Sequence, residues 1–294
     1  MFYRRKVLLA LLQQFDGQLE KIRLQKLLFL FCQRQTKAEY DFIPYKYGCY
    51  SYSANADLTT MVKKGMISED QNSFICQEST NYLKELKEND RIHLTEVKKR
   101  YKELDGTALM KYTYIHYPFF ATNSVKAKEM LTDAEFQKVD KSRPSSEEVT
   151  LFTIGYEGIS LEKYLTRLIK NNVRVLVDVR NNPQSMKYGF SKNQLSKYCE
   201  SLGINYIHFP EVGIQSDQRQ ELKDQKDYDR LFDEYKSKNL TNTQSTQVAI
   251  LNLLIEHRRI ALTCFEANIC QCHRKHLAES IECLDGFKYS IKHI

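Results

Sequence analysis

Apolar and polar positions follow one rhythm in the first half of the chain and another in the second. In the first half, Val7 to Leu12 and Ile22 to Phe31 read as two helices separated by a turn at Asp16-Gly17. Leu24, Leu27, Leu28 and Phe31 recur at i, i+3, i+4 and i+7, the spacing that puts side chains on one helix face. Tyr40 to Tyr52 is rich in aromatic and β-forming residues. Ala54 to Ile67 reads as a helix that Gly65 closes, since glycine tolerates the left-handed turn at a helix C-terminus. From Glu78 to Asp140 the chain is charged and reads as helical, including Tyr82 to Lys87 and Leu94 to Tyr101, with an aromatic cluster from Ala108 to Pro118. Short helices, an aromatic ribbon and a helix ending in Lys63-Lys64-Gly65 predict a mainly helical, winged-helix-like module.

The second half alternates strand and helix signals, the pattern of a parallel α/β sheet. Val149 to Ile154, Val173 to Val179, Ile204 to Pro210 and Ile260 to Cys264 read as strands. Helices are expected from Ser160, as N-cap, through Leu168, from Leu195 to Leu202, from Val248 to Glu256, and from Lys275 onward; Gln215 to Asp229 reads as a polar segment. Lys141 to Glu148 is polar and carries Pro144, so it reads as a linker. The expected division is a recognition domain over 1–140, a linker over 141–150 and an α/β domain over 151–294.

Composition narrows the class. At 294 residues with 42% hydrophobic content the chain has material for two cores without disulfides or metals. No apolar run approaches the ~20 residues of a membrane span. The basic, apolar N-terminus resembles a signal peptide, but Gln13-Gln14 interrupts it and no small-residue cleavage site follows, so an amphipathic first helix is expected. The chain has eight cysteines, and those before Cys264 show no paired spacing, which fits reduced thiols and a cytoplasmic location. The net charge of +7 is compatible with nucleic acid, though moderate for a dedicated binder, and Lys98-Lys99-Arg100 reads first as a solvated helix face.

Roughly residues 5 to 70 resemble the Panacea antitoxin domain, related to the SocA-like phage-associated proteins. The shared pattern is Leu24-Gln25-Lys26-Leu27-Leu28-Phe29, Tyr47-Gly48, Asp57-Leu58 and Lys64-Gly65-Met66-Ile67; Cys49 stands where that family usually has proline. The resemblance implies a module that contacts protein or nucleic acid and has no chemistry of its own.

Four polar sets end the strands of the second half: Gly155-Tyr156-Glu157-Gly158, Asp178-Val179-Arg180, His208-Phe209-Pro210-Glu211, and the loop Cys264 to Arg274. In a parallel sheet all four converge on one edge, where ligands bind in such folds. Glu266 and Asp178 are the candidate acid/base or water-activating carboxylates. Asp178 equally reads as one half of a structural pair with Arg180, and Glu266 as a carboxylate that pairs with Arg274. Arg180 and Arg274 suit an anion, Tyr156 suits stacking on a ring, and Cys272 and His273 complete the substrate-binding set. Adjacency of Cys272 and His273 does not by itself make a nucleophile–base contact. Cys264, Cys270, Cys272, His273 and His276 are metal-ligand types, but the two-residue spacing of structural zinc sites is absent, so neither metal nor cofactor is expected.

Residues 152 to 281 resemble the bacterial family called domain of unknown function 488. The motifs are Thr153-Ile154-Gly155-Tyr156, Val177-Asp178-Val179-Arg180 with Asn182-Pro183, and Cys264-Phe265-Glu266 with Cys272-His273-Arg274. The resemblance implies a Rossmann-like layer structure and leaves the reaction open. The expected function is a hydrolase acting on a nucleotide or nucleic-acid-derived substrate, with a partner or nucleic acid recognised by the N-terminal domain and no membrane. By analogy with the Panacea-like region, phage defence is its context. The alternative is a non-catalytic sensor or nucleic-acid-binding regulator using the same pocket.

Overall fold

The computed structural model describes residues 1–215, 218, 222 and 224–294. The chain divides into two compact units, Met1–Arg143 and Pro144–Ile294.

In the N-terminal unit, α1 (Tyr3–Gln14), β1 (Gln18–Glu20) and α2 (Lys21–Cys32) precede a hairpin of β2 (Ile43–Tyr45) and β3 (Gly48–Tyr50). There follow α3 (Tyr52–Lys63), β4 (Ile67–Glu69), β5 (Ser73–Cys76), α4 (Glu88–Tyr101), α5 (Gly106–His116), the one-turn α6 (Ala127–Met130) and α7 (Asp133–Lys141). Strands β1, β5 and β4 form an antiparallel sheet in that order, which with α1, α2 and α3 gives the winged-helix-like arrangement. Ser51 caps α3 by accepting from the Ala54 amide, and Gly65 follows that helix with φ of +70°.

Two helices are more enclosed than their patterns indicate. Val7 to Leu12 of α1 are all buried, so the helix is surrounded rather than amphipathic. All nine residues from Leu24 to Cys32 of α2 are buried, Gln25 and Lys26 included, where the periodicity marked one face. Tyr82 to Lys87 forms turns instead of a helix, because Gln13 captures it by accepting from the Tyr82 amide and donating to the Thr80 carbonyl.

The polar residues of the Panacea-like pattern turn inward. Gln25 accepts from the Ser51 amide at 3.0 Å, and the Lys26 ammonium donates to the Cys49 carbonyl at 2.9 Å. Asp57, also buried, accepts from Arg5 at 2.7 Å and Tyr40 at 3.1 Å. These residues tie the hairpin and α3 to α1 and α2, so part of the pattern encodes the module's interior. Burial lowers the Lys26 pKa, because desolvation favours the neutral amine. The unfolded chain then binds more protons than the folded one at alkaline pH, and Lys26 adds stability as pH rises toward its unfolded value. Accordingly, the stability deficit of Lys26→Met relative to the parent should widen between pH 7 and about pH 10. Urea midpoints across that range measure it, and a constant deficit would refute it.

The C-terminal unit is an open, all-parallel sheet. Its elements are β6 (Thr150–Gly155), α8 (Leu161–Lys170), β7 (Val175–Asp178), α9 (Lys192–Glu200), β8 (Asn205–His208), α10 (Gln225–Glu234), α11 (Gln244–His257), β9 (Arg259–Cys264), α12 (His273–Glu282) and β10 (Ser290–His293). Strand order is β10-β6-β9-β7-β8, and every pairing is parallel. All residues of β6, β7 and β9 are buried, as continuous apolar runs in a covered parallel sheet require. Ser160 caps α8 by accepting from the Lys163 amide. The polar segment expected from Gln215 to Asp229 lies partly outside the described residues, and from Gln225 onward it is α10, opened by a capping box of Asp224 and Asp227. Strand β10, a short and mostly polar segment after the last helix, was not anticipated.

Candidate functional site

Register brings the strand ends together. Gly155 is the partner of Cys264, and Asp178 pairs with both Thr263 and His208. The polar sets that follow β6, β7, β8 and β9 therefore leave the sheet along one edge. A cleft of about 270 Å³ opens there, bounded by Tyr156, Arg180, Asn181, Asn182, Cys264, Phe265 and His273 among others.

The floor of the cleft is an internal ion pair. Asp178 is fully buried at the end of β7, and Arg180 is 5% exposed. Arg180 donates to the carboxylate through Nε at 2.8 Å and Nη2 at 2.5 Å, and its backbone amide adds a third bond at 3.1 Å. Tyr206 donates to the same carboxylate. The remaining guanidinium nitrogen, Nη1, donates to the Tyr156 hydroxyl and to the Phe190 carbonyl, each at 2.8 Å. Burial, with the Asp178 carboxylate next, raises the Tyr206 phenol above its ordinary value. Burial opposes the charge on Arg180, but its bonds to Asp178 prevail and raise its pKa.

Tyr156 is 2% exposed and stacks on Phe190 with centroids 4.3 Å apart and planes at 10°. The Arg180 guanidinium lies over the Tyr156 ring at 5.2 Å. With Phe190 stacked on it and only 2% of it exposed, the Tyr156 ring is closed to stacking on a ligand. Phe265, edge-on to Tyr156 at 5.3 Å, is 42% exposed and borders the cleft. A large apolar ring held open at a strand end is the signal the sequence carried, one residue before the carboxylate that drew attention.

The loop after β9 is pinned to the loop after β6. The amides of Tyr156 and Glu157 both donate to the Phe265 carbonyl, and Ala267 donates its amide to the Glu157 carboxylate. Arg274 is buried; it donates to the Glu266 carbonyl at 2.6 Å and approaches the Ala267 carbonyl at 3.4 Å. Its guanidinium thus staples the loop, and the backbone receives the charge that the sequence reading gave to an anion. Of the residues expected at the site, Tyr156, Arg180 and His273 border the cleft, whereas Asp178, Glu266, Cys272 and Arg274 do not line it.

At the cleft wall the sulfur and imidazole groups converge. Cys264 Sγ lies 3.2 Å from Glu266 Oε2 and 3.6 Å from His273 Nδ1. The other ring nitrogen of His273 donates to the Val179 carbonyl at 2.9 Å, a contact that directs the Nδ1 lone pair toward the thiol. The thiol–imidazole contact therefore joins Cys264 to His273 across nine residues, not the adjacent Cys272. Burial, and then the neighbouring Cys264, raise the Cys272 thiol above its ordinary value. Cys270 is exposed and His276 pairs with Glu279 at 3.2 Å, which leaves both outside this group.

Residues 160–281 match the family model described as Domain of unknown function DUF488. The match lies in the C-terminal unit and includes Asp178, Arg180, Glu266 and Cys272-His273-Arg274, as the resemblance implied; it does not extend into the N-terminal unit. No curated protein matches the chain. Among the described residues, no helix is long and apolar enough to cross a membrane.

Proposed function

We propose that the C-terminal unit binds a planar, polar ligand of nucleotide or nucleic-acid-derived type in the strand-end cleft and hydrolyses it, with Glu266 moving the proton. The observation that carries this reading is the rim itself: an exposed aromatic, Phe265, lines the same cleft as Asn181, Asn182 and Gln184. An aromatic face beside side chains that carry amides suits a heterocyclic base, because the ring stacks and its edge hydrogen-bonds. Arg180 gives little to a phosphate, since Asp178 neutralises it. The recognised feature is therefore the ring, and Asp178 acts by positioning Arg180 and Tyr156.

A second reading, a non-catalytic sensor, draws on the absence of both carboxylates from the cleft lining. In either reading the N-terminal unit supplies contact with nucleic acid or a protein partner, and a phage-defence setting accommodates both. The Glu266→Gln variant separates them. Retained binding with lost turnover supports the hydrolase, whereas binding without turnover in parent and variant supports the sensor. Calorimetric titration with nucleosides, nucleoside monophosphates and short single-stranded oligonucleotides provides the binding arm. Phe265→Ala should weaken the tightest of these by about 5- to 150-fold, the range for a lost base–aromatic stack worth about 1–3 kcal/mol. If no probe binds the parent chain, the reading fails.

A further inference from the structure

We infer that Cys264, Cys272 and His273 form a binding site for a thiolate-preferring divalent metal ion, of which zinc is the natural occupant, with Glu266 at its edge. The ligand atoms of the three residues lie within 4.8 Å of one another, and all three residues are buried. For Zn–S near 2.3 Å and Zn–N near 2.0–2.1 Å, a tetrahedral centre sets its sulfur and nitrogen ligands about 3.6 Å apart. The Cys264 Sγ to His273 Nδ1 separation is 3.6 Å.

Orientation supports the same conclusion. A metal-ligating histidine usually donates its other ring N–H to a carbonyl or carboxylate, which fixes the tautomer and aims the lone pair. His273 does this through Nε2 to Val179 O. Two soft sulfur ligands and one imidazole select zinc over calcium or magnesium. Sequence spacing gave no hint, because the pairing rule counts residues along one loop. Here β9 delivers Cys264 at a strand end, and the start of α12 returns Cys272 and His273 to it.

The cluster also has a way in. Cys264 and His273 border the cleft, so a metal held by three protein ligands would present its fourth position toward that opening or accept Glu266 Oε2, 3.2 Å from Cys264 Sγ. An ion bound there would cross-link β9 to α12, independently of whether the cleft hydrolyses anything.

The test is metal content and cobalt spectroscopy on the full chain, purified without a metal-affinity tag under reducing conditions. Elemental analysis should find about one zinc per chain, the stoichiometry of a single site. Replacement by Co²⁺ should give the visible d–d bands of a tetrahedral centre and a near-ultraviolet thiolate charge-transfer band. Cys272→Ser and His273→Gln should each reduce cobalt uptake by about tenfold or more, while Cys270→Ser, altering an exposed thiol outside the cluster, leaves it unchanged. If a ligand variant fails to fold, competition between the parent chain and a chromophoric chelator provides the affinity instead. The proposal is overturned if the reduced parent takes up no stoichiometric zinc or cobalt, if the charge-transfer band is undiminished in Cys272→Ser, or if loss of Cys270 abolishes it. Nucleotide binding is measured separately, so failure of the metal site and failure of the cleft are distinguishable.

Discussion

Asp178→Ala should destabilise the C-terminal unit by about 3–5 kcal/mol, the usual cost of removing one partner from a buried ion pair. The reason is what the substitution leaves behind. Arg180, 5% exposed, would lose the acceptor for Nε and Nη2, and Tyr206 would lose the acceptor for its hydroxyl. Arg180 also aligns Tyr156 through Nη1, so the loss spreads to the stack on Phe190 and the wall of the cleft. Chemical denaturation checks the magnitude. The double variant Asp178→Ala/Arg180→Met should recover a substantial part of the loss, because an apolar pair leaves no uncompensated charge. If Asp178→Ala costs less than about 1 kcal/mol, the surface ion-pair range, the pair is not holding the strand ends.

The same pair sets an alkaline limit on this unit. The Tyr206 phenol is raised in the folded state, first by burial and then by Asp178. Its contribution is complete below its unfolded value of about 10 and declines as pH rises beyond it, because the folded chain then binds more protons than the unfolded one. Tyr206→Phe should flatten that alkaline fall in denaturation midpoints.

Legibility followed the length scale of each interaction. Strands β6, β7 and β9 were readable because each is an apolar run that the sheet buries on both faces. Convergence of their ends at one edge follows once all are parallel. Burial around α1 and α2 was less readable: α1 is a continuous apolar run with no contrasting face, and in α2 the buried Gln25 and Lys26 read as part of a polar face. Strand β10 was missed because three of its four residues, Ser290, Lys292 and His293, are polar; only its pairing with β6 makes it a strand.

In the site, residue types were legible and their orientation was not. Arg274 and Arg180 are one chemical type in a sequence, yet backbone carbonyls take the first and a carboxylate takes most of the second. Tyr156 was recognisable as an aromatic at a strand end. Whether its faces were open depended on Phe190, which arrives from a loop between β7 and α9 with no local signal of contact. Cys264, Cys272 and His273 illustrate the converse: nine residues separate the outer two, and the fold closes the gap.

Gly155→Ala should be the most damaging single-atom change at the cleft. A Cβ at this position would lie 2.0 Å from the Glu266 carbonyl oxygen and 2.8 Å from its carbon, with Arg274 Nη2 at 3.1 Å. The nearest obstacle is backbone, so no rotamer change relieves it; the loop after β9 must move. That loop is fastened by the Tyr156 and Glu157 amides on Phe265 O and by Arg274 on Glu266 O. Displacing it breaks these bonds while Gly155 itself remains paired with Cys264. Overpacking against a fixed neighbour costs typically about 1–3 kcal/mol, and the upper end applies because charged and backbone bonds are lost together. The functional loss should exceed the stability loss. Glu266 and Phe265 move with the loop, so nucleoside affinity should fall at least as far as in Phe265→Ala, and cobalt uptake should fall because the path from Cys264 to Cys272 runs through the displaced segment. Gly158→Ala provides the contrast, since no neighbour lies within 4 Å of a Cβ there and only its φ of +72° is strained. That variant should lose stability without losing the cobalt charge-transfer band. If Gly155→Ala retains both nucleoside binding and cobalt uptake, the packing of Glu266 over β6 does not organise the site.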